Sequence, residues 1–320
     1  MSAVSLPLLQ PARAALLGLA IGDALGVPVE FLSRAARRQD PVVGMRAFGT
    51  HGQPAGTWSD DASLTFCLAE AIADGFSVEK VAQNCVRWYY HNFWTPHGSV
   101  FDVGITTREA LSRLRANPTQ LQAGGTDAYS NGNGALMRIL PLAFYRPDAP
   151  LAERFQLIRD VSGITHGHIR SAVACLLYLL MTQHLLAGLT PAAAYARLCQ
   201  ESPAQLRELG VPEQEAAHFE RILSGRLPDL PVGAIDSGGY VLHTLEAALW
   251  CLLRHGTFAE TVLAAVNLGD DTDTTGAVTG GLAGLHYGEA ALPADWLAVL
   301  TRRTDIEELA ARMALAGVAA

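Results

Sequence analysis

The chain has 320 residues, half of them hydrophobic and 17% charged, which is ample material for a buried interior and excludes global disorder. A formal net charge of −8 makes it a poor partner for nucleic acid, which is gripped by neutralising phosphates. The five cysteines are odd in number, have no CxxC spacing and mostly sit among apolar neighbours, so they read as reduced core residues in a cytoplasmic setting.

The first apolar run, Ala14 to Ile21 behind Arg13, has the length of a leader's hydrophobic segment. Asp23 follows at once, however, and Gly18, Gly22 and Gly26 recur every fourth residue, as in a tightly packed helix. Glu30 then stands in a segment, Gly26-Val27-Pro28-Val29, that otherwise looks buried. Gly44 to Thr57, glycine-rich and carrying Pro54, reads as a loop. After Asp61, the residues Leu64, Leu68, Ala71 and Ile72 share one helix face, and Gly75 is placed to end that helix. Ser77 is placed to cap the next one, through Val78, Val81, Cys85, Val86 and Trp88. Asp102, in Val100-Phe101-Asp102-Val103-Gly104, is positioned to cap a helix from Val103 to Leu114.

Ala123 to Gly134 is a second loop, dense in glycine and turn formers. Helical spacing returns over Ile169 to Ala187, Pro191 to Cys199, Tyr240 to Arg254 and Phe258 to Leu268. Pro203, Pro212, Pro228 and Pro231 mark a weaker break between Ser202 and Ser237, and a last helix or two follows Pro293. The apolar stretch from Ala172 to Met181 falls short of the ~20 residues a membrane span needs, so no membrane is expected. Alternating strand patterns are scarce. The expected fold is all-α: a single compact multi-helix bundle, one domain over residues 1–320.

Two clusters carry the chemistry. Gly56-Thr57-Trp58-Ser59-Asp60-Asp61 precedes a helix, where one residue is accounted for as a cap but three consecutive oxygen donors are less easily explained. Asp270-Asp271-Thr272-Asp273-Thr274 leads into a small-residue segment in which Gly276, Gly280 and Gly284 share a helix face. Glycine in a helix interior costs up to about 1 kcal/mol against alanine, so three on one face imply close packing or a site. Crowded carboxylates repel one another, and a bound cation removes that penalty. Hard oxygen donors without Cys or His suit Mg²⁺ or Mn²⁺, and two clusters suggest a pair of ions. His166 and His168 form an HxH pair, but no third soft ligand lies nearby to complete a zinc site. Tyr240 is placed either to stack on a ring or to fill core.

Together, Gly18-Leu-Ala-Ile-Gly-Asp-Ala-Leu-Gly26, Gly56-Thr-Trp-Ser-Asp-Asp61 and Leu268-Gly-Asp-Asp-Thr-Asp-Thr274 resemble, in the same order, the hallmarks of the ADP-ribosylglycohydrolase family. The resemblance covers the chain from Gly18 to about Gly288 and implies an all-α fold with a binuclear metal site at the base of an ADP-ribose cleft. It implies Ser59, Asp60, Asp61, Asp271, Asp273 and Thr274 as metal ligands, with serine standing where threonine is usual. Asp270 stands where many relatives have glycine and takes no ligand role. Glu30 and Asp102 match carboxylates implicated in catalysis, Ser130, Asn131, Gly132, Asn133 and Gly134 match a loop that approaches diphosphate and ribose, and His166 matches a histidine lining the cleft.

The implied reaction is hydrolysis of the bond between ADP-ribose and a modified protein side chain or small conjugate. Gly26-Val-Pro-Val-Glu-Phe31 looks most like the arginine-directed bacterial branch, while serine-linked ADP-ribose, O-acetyl-ADP-ribose and an inactive binding relative are the alternatives. A monomer is slightly favoured. Isoprenoid synthases also use acidic helices, but neither aspartate cluster here has the fifth-position aspartate of DDxxD. An HD-type phosphohydrolase would need a His-Asp dipeptide, and the chain has none.

Overall fold

The structure, a computed structural model, describes residues 6–319 and is built of helices joined by loops. In chain order these are α1 (Leu6–Gly26), α2 (Arg34–Gln39), α3 (Asp60–Ala73), α4 (Val78–His91) and α5 (Ile105–Ala116). They continue with α6 (Leu151–Gly163), α7 (Ile169–Leu186), α8 (Pro191–Glu208), α9 (Glu213–Ala216) and α10 (Val241–Arg254). The last are α11 (Phe258–Val266), α12 (Thr272–Tyr287), α13 (Ala294–Val299) and α14 (Arg303–Ala319). No β-sheet forms among the described residues; isolated bridges such as Gly132 with Tyr240 and Gly125 with His166 tie loops together. The fold is all-α, as the sequence pattern predicts.

The centre of the molecule is the contact between α1 and α12. Gly18 and Gly22 on one helix face Gly276 and Gly280 on the other with backbone against backbone: a Cβ on Gly22 would lie 2.0 Å from the Gly276 carbonyl oxygen, and one on Gly280 would lie 2.2 Å from that of Gly18. The four-residue glycine spacing on both helices is therefore the price of this approach. At its end, Thr272 Oγ1 donates to the Gly26 carbonyl (2.8 Å) and pins the start of α12 to the end of α1. Helices α10 and α11 cover the other side of α12, while α14 packs on α1 and α3.

Helix α3 is buried around nearly its whole circumference, including Asp60 and Asp61 in its first turn. The N-terminus of a buried helix must have its free N–H groups satisfied within the protein. Ser59 accepts from Asp61 N, and Asp23 of α1 reaches across to accept from Ser59 N (2.8 Å) and Ala62 N (2.9 Å).

Several sequence-based expectations are corrected. Asp102 does not cap α5; Gly104 stands at that position, and Asp102 itself has φ +53°. Helix α8 does not stop near Cys199 but runs through Pro203 to Glu208. A proline inside a helix costs about 3 kcal/mol, offset here by the buried stripe of Leu198, Ser202 and Leu206. Helix α6 and the short α2 were not expected. The apolar stretch at Ala172 belongs to an 18-residue helix, long and apolar enough to cross a membrane, as is the segment Leu8–Val29; they are 83% and 94% buried inside the fold, as core helices are.

Candidate active site

Folding brings the two aspartate clusters together. One carboxylate oxygen from each of Asp23, Asp61 and Asp273 lies within 4.8 Å of the others. Thr274 Oγ1 donates to Asp61 Oδ2 across the two helix starts (3.4 Å), and Ser59 Oγ donates to the same oxygen (3.0 Å). Asp271 Oδ2 accepts from Asn133 Nδ2 (2.8 Å), which ties the glycine loop to the second cluster. Asp60 and Thr274 line the same cleft as Asp271.

Three oxygens in this group, Asp61 Oδ1, Asp271 Oδ1 and Asp273 Oδ2, are buried without a hydrogen-bond partner. Buried polar atoms are rarely left so, and three partnerless carboxylate oxygens, those of Asp61 and Asp273 within one acid group, fit divalent cations and oxygen coordination. Burial foremost, with neighbouring carboxylates adding to it, pushes Asp60, Asp61 and Asp273 well above the ordinary carboxylate range. Asp271 is raised by burial too, against the opposing hydrogen bond from Asn133. Asp23 is held at about 7 by burial.

These shifts make a prediction. A carboxyl group whose pKa rises on folding binds more protons in the folded state, so stability falls as pH climbs from the unfolded value near 4 towards the folded one. With Asp23 and Glu30 both at about 7, the ion-free protein is expected to lose thermal stability steadily between about pH 4 and pH 7. Mg²⁺ or Mn²⁺ would replace those protons, so the rise in Tm on adding metal should grow over the same range. Thermal melts in chelator and in metal across this range test the point; a Tm in chelator that rises with pH would refute it.

Above the acids opens a cleft of about 360 Å³, lined by Glu30, Phe31, Asp60, Asp102, Gly132, Asn133, Gly134, His166, Asp271 and Thr274 among others. A larger concavity of about 630 Å³ near Arg13 and Glu289 holds no comparable cluster among the described residues. Glu30 sits at the end of a buried 3₁₀ turn, Val27–Val29, and burial raises its pKa to about 7. His51 Nε2 is hydrogen-bonded to Glu30 Oε2 and stands 3.9 Å from Asp102 Oδ1, and the bond to Glu30 raises the pKa of the imidazole. Glu30, His51, Asp102 and Asp273 thus form a second group, sharing Asp273 with the first.

His51 was not singled out from sequence, nor was Asp23 given a site role. A lone histidine in a glycine-rich loop carries no signal, although the Gly49-Thr50-His51-Gly52 turn that holds it is dense in turn formers. Phe31 and Asp270 both have positive φ, +63° and +60°, and are locked by Phe31 N donating to Asp270 O (2.7 Å) and Asp270 N donating to Leu32 O (2.8 Å). For a bulky residue such as Phe31 that conformation costs roughly 1–3 kcal/mol. It also shows why glycine suits position 270.

The other sequence candidates divide. Gly132, Asn133, Gly134 and His166 face the cleft. Gly134 has no room for a side chain, since a Cβ there would lie 2.7 Å from the His166 ring. His166 is buried, pairs through Nδ1 with Thr165 Oγ1 (2.8 Å), and is driven to a pKa of about 3 by burial and then by Arg138, which keeps it neutral. Arg138, also unanticipated, is fully buried and donates to the carbonyls of Gly134 (2.6 Å) and Val161 (3.1 Å), fixing the end of the loop. Ser130 and Asn131 are turned to structural bonds: Ser130 Oγ donates to Asp127 Oδ2 (2.8 Å), and Asn131 donates to Ala128 O (3.0 Å) and accepts from Ser171 Oγ (3.2 Å). Tyr240 accepts from Arg170 at its hydroxyl (3.1 Å), meets His243 edge-on and is half-buried against the core, outside the cleft lining. His168 caps α7.

Comparison with known proteins agrees with this architecture. The family model for ADP-ribosylglycohydrolase matches residues 5–319. An ADP-ribosylarginine hydrolase of Serratia proteamaculans is 32% identical over 307 residues, spanning 95% of this chain and 79% of that protein. The ADP-ribosyl-dinitrogen-reductase glycohydrolase of Rhodospirillum rubrum is 31% identical over 96% of this chain and 97% of its own. A solved ADP-ribosylglycohydrolase-related protein complex superposes with a TM-score of 0.81 at 34% identity, covering 97% of this chain and 98% of that one. The chain belongs to the ADP-ribosylglycohydrolase family and is a hydrolase of that family.

Proposed function

We propose that the protein is a metal-dependent hydrolase that removes ADP-ribose from a modified protein side chain, with arginine as the linked residue. The observation that carries this reading is the set of partnerless buried oxygens on Asp61, Asp271 and Asp273, beside a cleft that Asp271 lines together with Glu30 and Asp60. Ser59, Asp60, Asp61, Asp271, Asp273 and Thr274 are the residues assigned to hold two divalent cations, Mg²⁺ or Mn²⁺. Such ions supply Lewis acidity and lower the pKa of water so that it attacks at neutral pH.

The chain's own groups do the rest. Gly132 and Gly134 leave their backbone open for the diphosphate and ribose, and Asn133 links that loop to Asp271. Neutral His166 lines the wall without repelling or attracting charge strongly. Glu30, with a pKa near neutrality, suits proton exchange with water or the leaving group, and Asp102 stands beside the same imidazole as the second carboxylate. The curated relatives named for ADP-ribosylarginine support the arginine linkage. Buried free cysteines support a cytoplasmic enzyme, which we read as one domain acting as a monomer.

The test is release of ADP-ribose from arginine-linked and serine-linked peptides side by side, with and without chelator. Turnover of the arginine-linked peptide, abolished by excess chelator and restored by Mg²⁺ or Mn²⁺, is expected. A full rate in chelator would overturn the metal role, and exclusive cleavage of the serine linkage would overturn the choice of linkage.

A further inference from the structure

The geometry points to a guanidinium subsite at the mouth of the cleft, built on the face of Phe31 and flanked by the carboxylates of Glu30 and Asp102. The inference rests on the hydrolase reading above and deepens it, because it names the residue that distinguishes an arginine leaving group from a hydroxyl one.

Phe31 is 67% exposed, follows Glu30 directly in the chain and lines the cleft with it. The fold has no packing use for so exposed a ring. Yet its backbone is held in a left-handed conformation by its own N–H donating to Asp270 O and by Asp270 N donating to the next residue, Leu32, so the ring is presented from a fixed support. Behind it runs a short aromatic row: the Phe31 and His51 rings are 6.0 Å apart, and His51 and Phe101 are 5.4 Å apart. Acidic oxygens of Glu30 and Asp102 both stand against Nε2 of the middle ring, and both residues line the cleft with Phe31.

An aromatic face bordered by carboxylates selects a flat cation. The face attracts positive charge through its quadrupole, and a planar guanidinium can stack there while its N–H groups reach carboxylate oxygens. A serine hydroxyl or an acetyl ester has neither the charge nor the flat surface to use such a wall. Since the metal-ligating acids and the glycine loop lie deeper, this subsite would contact only the leaving side of the scissile bond.

The experiment uses the full-length protein with Mn²⁺, agmatine as a guanidinium probe, ADP-ribose as a probe of the deeper cleft, and the variants Phe31→Leu and Phe31→Tyr. Leucine keeps bulk and lacks a π face; tyrosine keeps the face. Agmatine is expected to inhibit the wild type, with an inhibition constant about tenfold weaker in Phe31→Leu and restored in Phe31→Tyr. The ADP-ribose inhibition constant should stay unchanged in both. In the same preparations, kcat/KM of Phe31→Leu should fall for arginine-linked substrate and hold for O-acetyl-ADP-ribose. No inhibition of the wild type by agmatine, or equal losses on both substrates, would overturn the subsite. A wild type that ignores arginine-linked substrate yet binds agmatine through Phe31 would overturn the linkage reading while supporting the subsite.

Discussion

Replacing Asp273 with alanine is expected to lower the release of ADP-ribose by roughly 10³-fold, equivalent to about 4 kcal/mol of lost transition-state stabilisation. Asp273 is fully buried in the first turn of α12 and belongs to both acid groups, with Asp23 and Asp61 on one side and with Glu30, His51 and Asp102 on the other. Its Oδ1 accepts from Thr274 N (2.9 Å), while Oδ2 has no protein donor. The charge is a liability to the ion-free protein, so its removal should leave helical circular dichroism intact and the Tm in chelator equal or higher. Calorimetry should show Mn²⁺ binding lost. Asp61→Ala should behave likewise. Retained turnover, or Mn²⁺ binding at wild-type affinity in either variant, would remove these residues from the metal site.

The second large effect concerns packing. Gly22→Leu places a Cβ within 2.0 Å of the Gly276 carbonyl, and neither helix backbone can rotate it away. Overpacking against backbone is expected to cost about 3 kcal/mol or more, a fall in Tm of roughly 5–10 °C. Metal affinity should fall in parallel, because the same displacement carries Asp23 away from the α3 cap and α1 away from Asp273. Gly233→Ala, at a glycine with open space around it, is the matched control and should melt as the wild type does. A Gly22→Leu protein with an unchanged Tm would show that the α1–α12 contact contributes little to stability.

The parts of the site that are legible in sequence are those where several donors of one kind sit together. Ser59-Asp60-Asp61 and Asp271 to Thr274 stand out because capping accounts for one oxygen and leaves the rest unexplained. The glycine spacing on α1 and α12 is legible for the same reason: each such residue carries a penalty that must be offset somewhere. Asp23 is not, since a single acid inside an apolar helix looks like an interruption until Ser59 N and Ala62 N are seen to donate to it. His51 and Arg138 are equally silent, since nothing in the local spacing announces the pairing of His51 with Glu30 or of Arg138 with the Gly134 and Val161 carbonyls. Ser130 and Asn131 are legible only as members of a motif. They match a loop pattern by position, yet Asp127, Ala128 and Ser171 claim their side chains. Pro203 misleads because a local signal for breakage is outweighed by a buried stripe that only the tertiary structure supplies. Helix α6 did have a readable signal, with Phe155, Ile158 and Val161 on one buried face.

The pairing of α1 with α12 also bears on how the molecule is made. An early helix and one encoded near residue 280 are each other's main support, so the emerging polypeptide carries its first apolar segment without a mate through most of synthesis. Distant pairings of this kind slow folding and leave sticky surface uncovered in the interim. If the assigned ligands hold the ions, capture follows late too, since Asp271, Asp273 and Thr274 are made long after Ser59, Asp60 and Asp61. Fragments ending ahead of Asp270 should consequently be aggregation-prone and unable to hold Mn²⁺, even with Ser59, Asp60 and Asp61 all present.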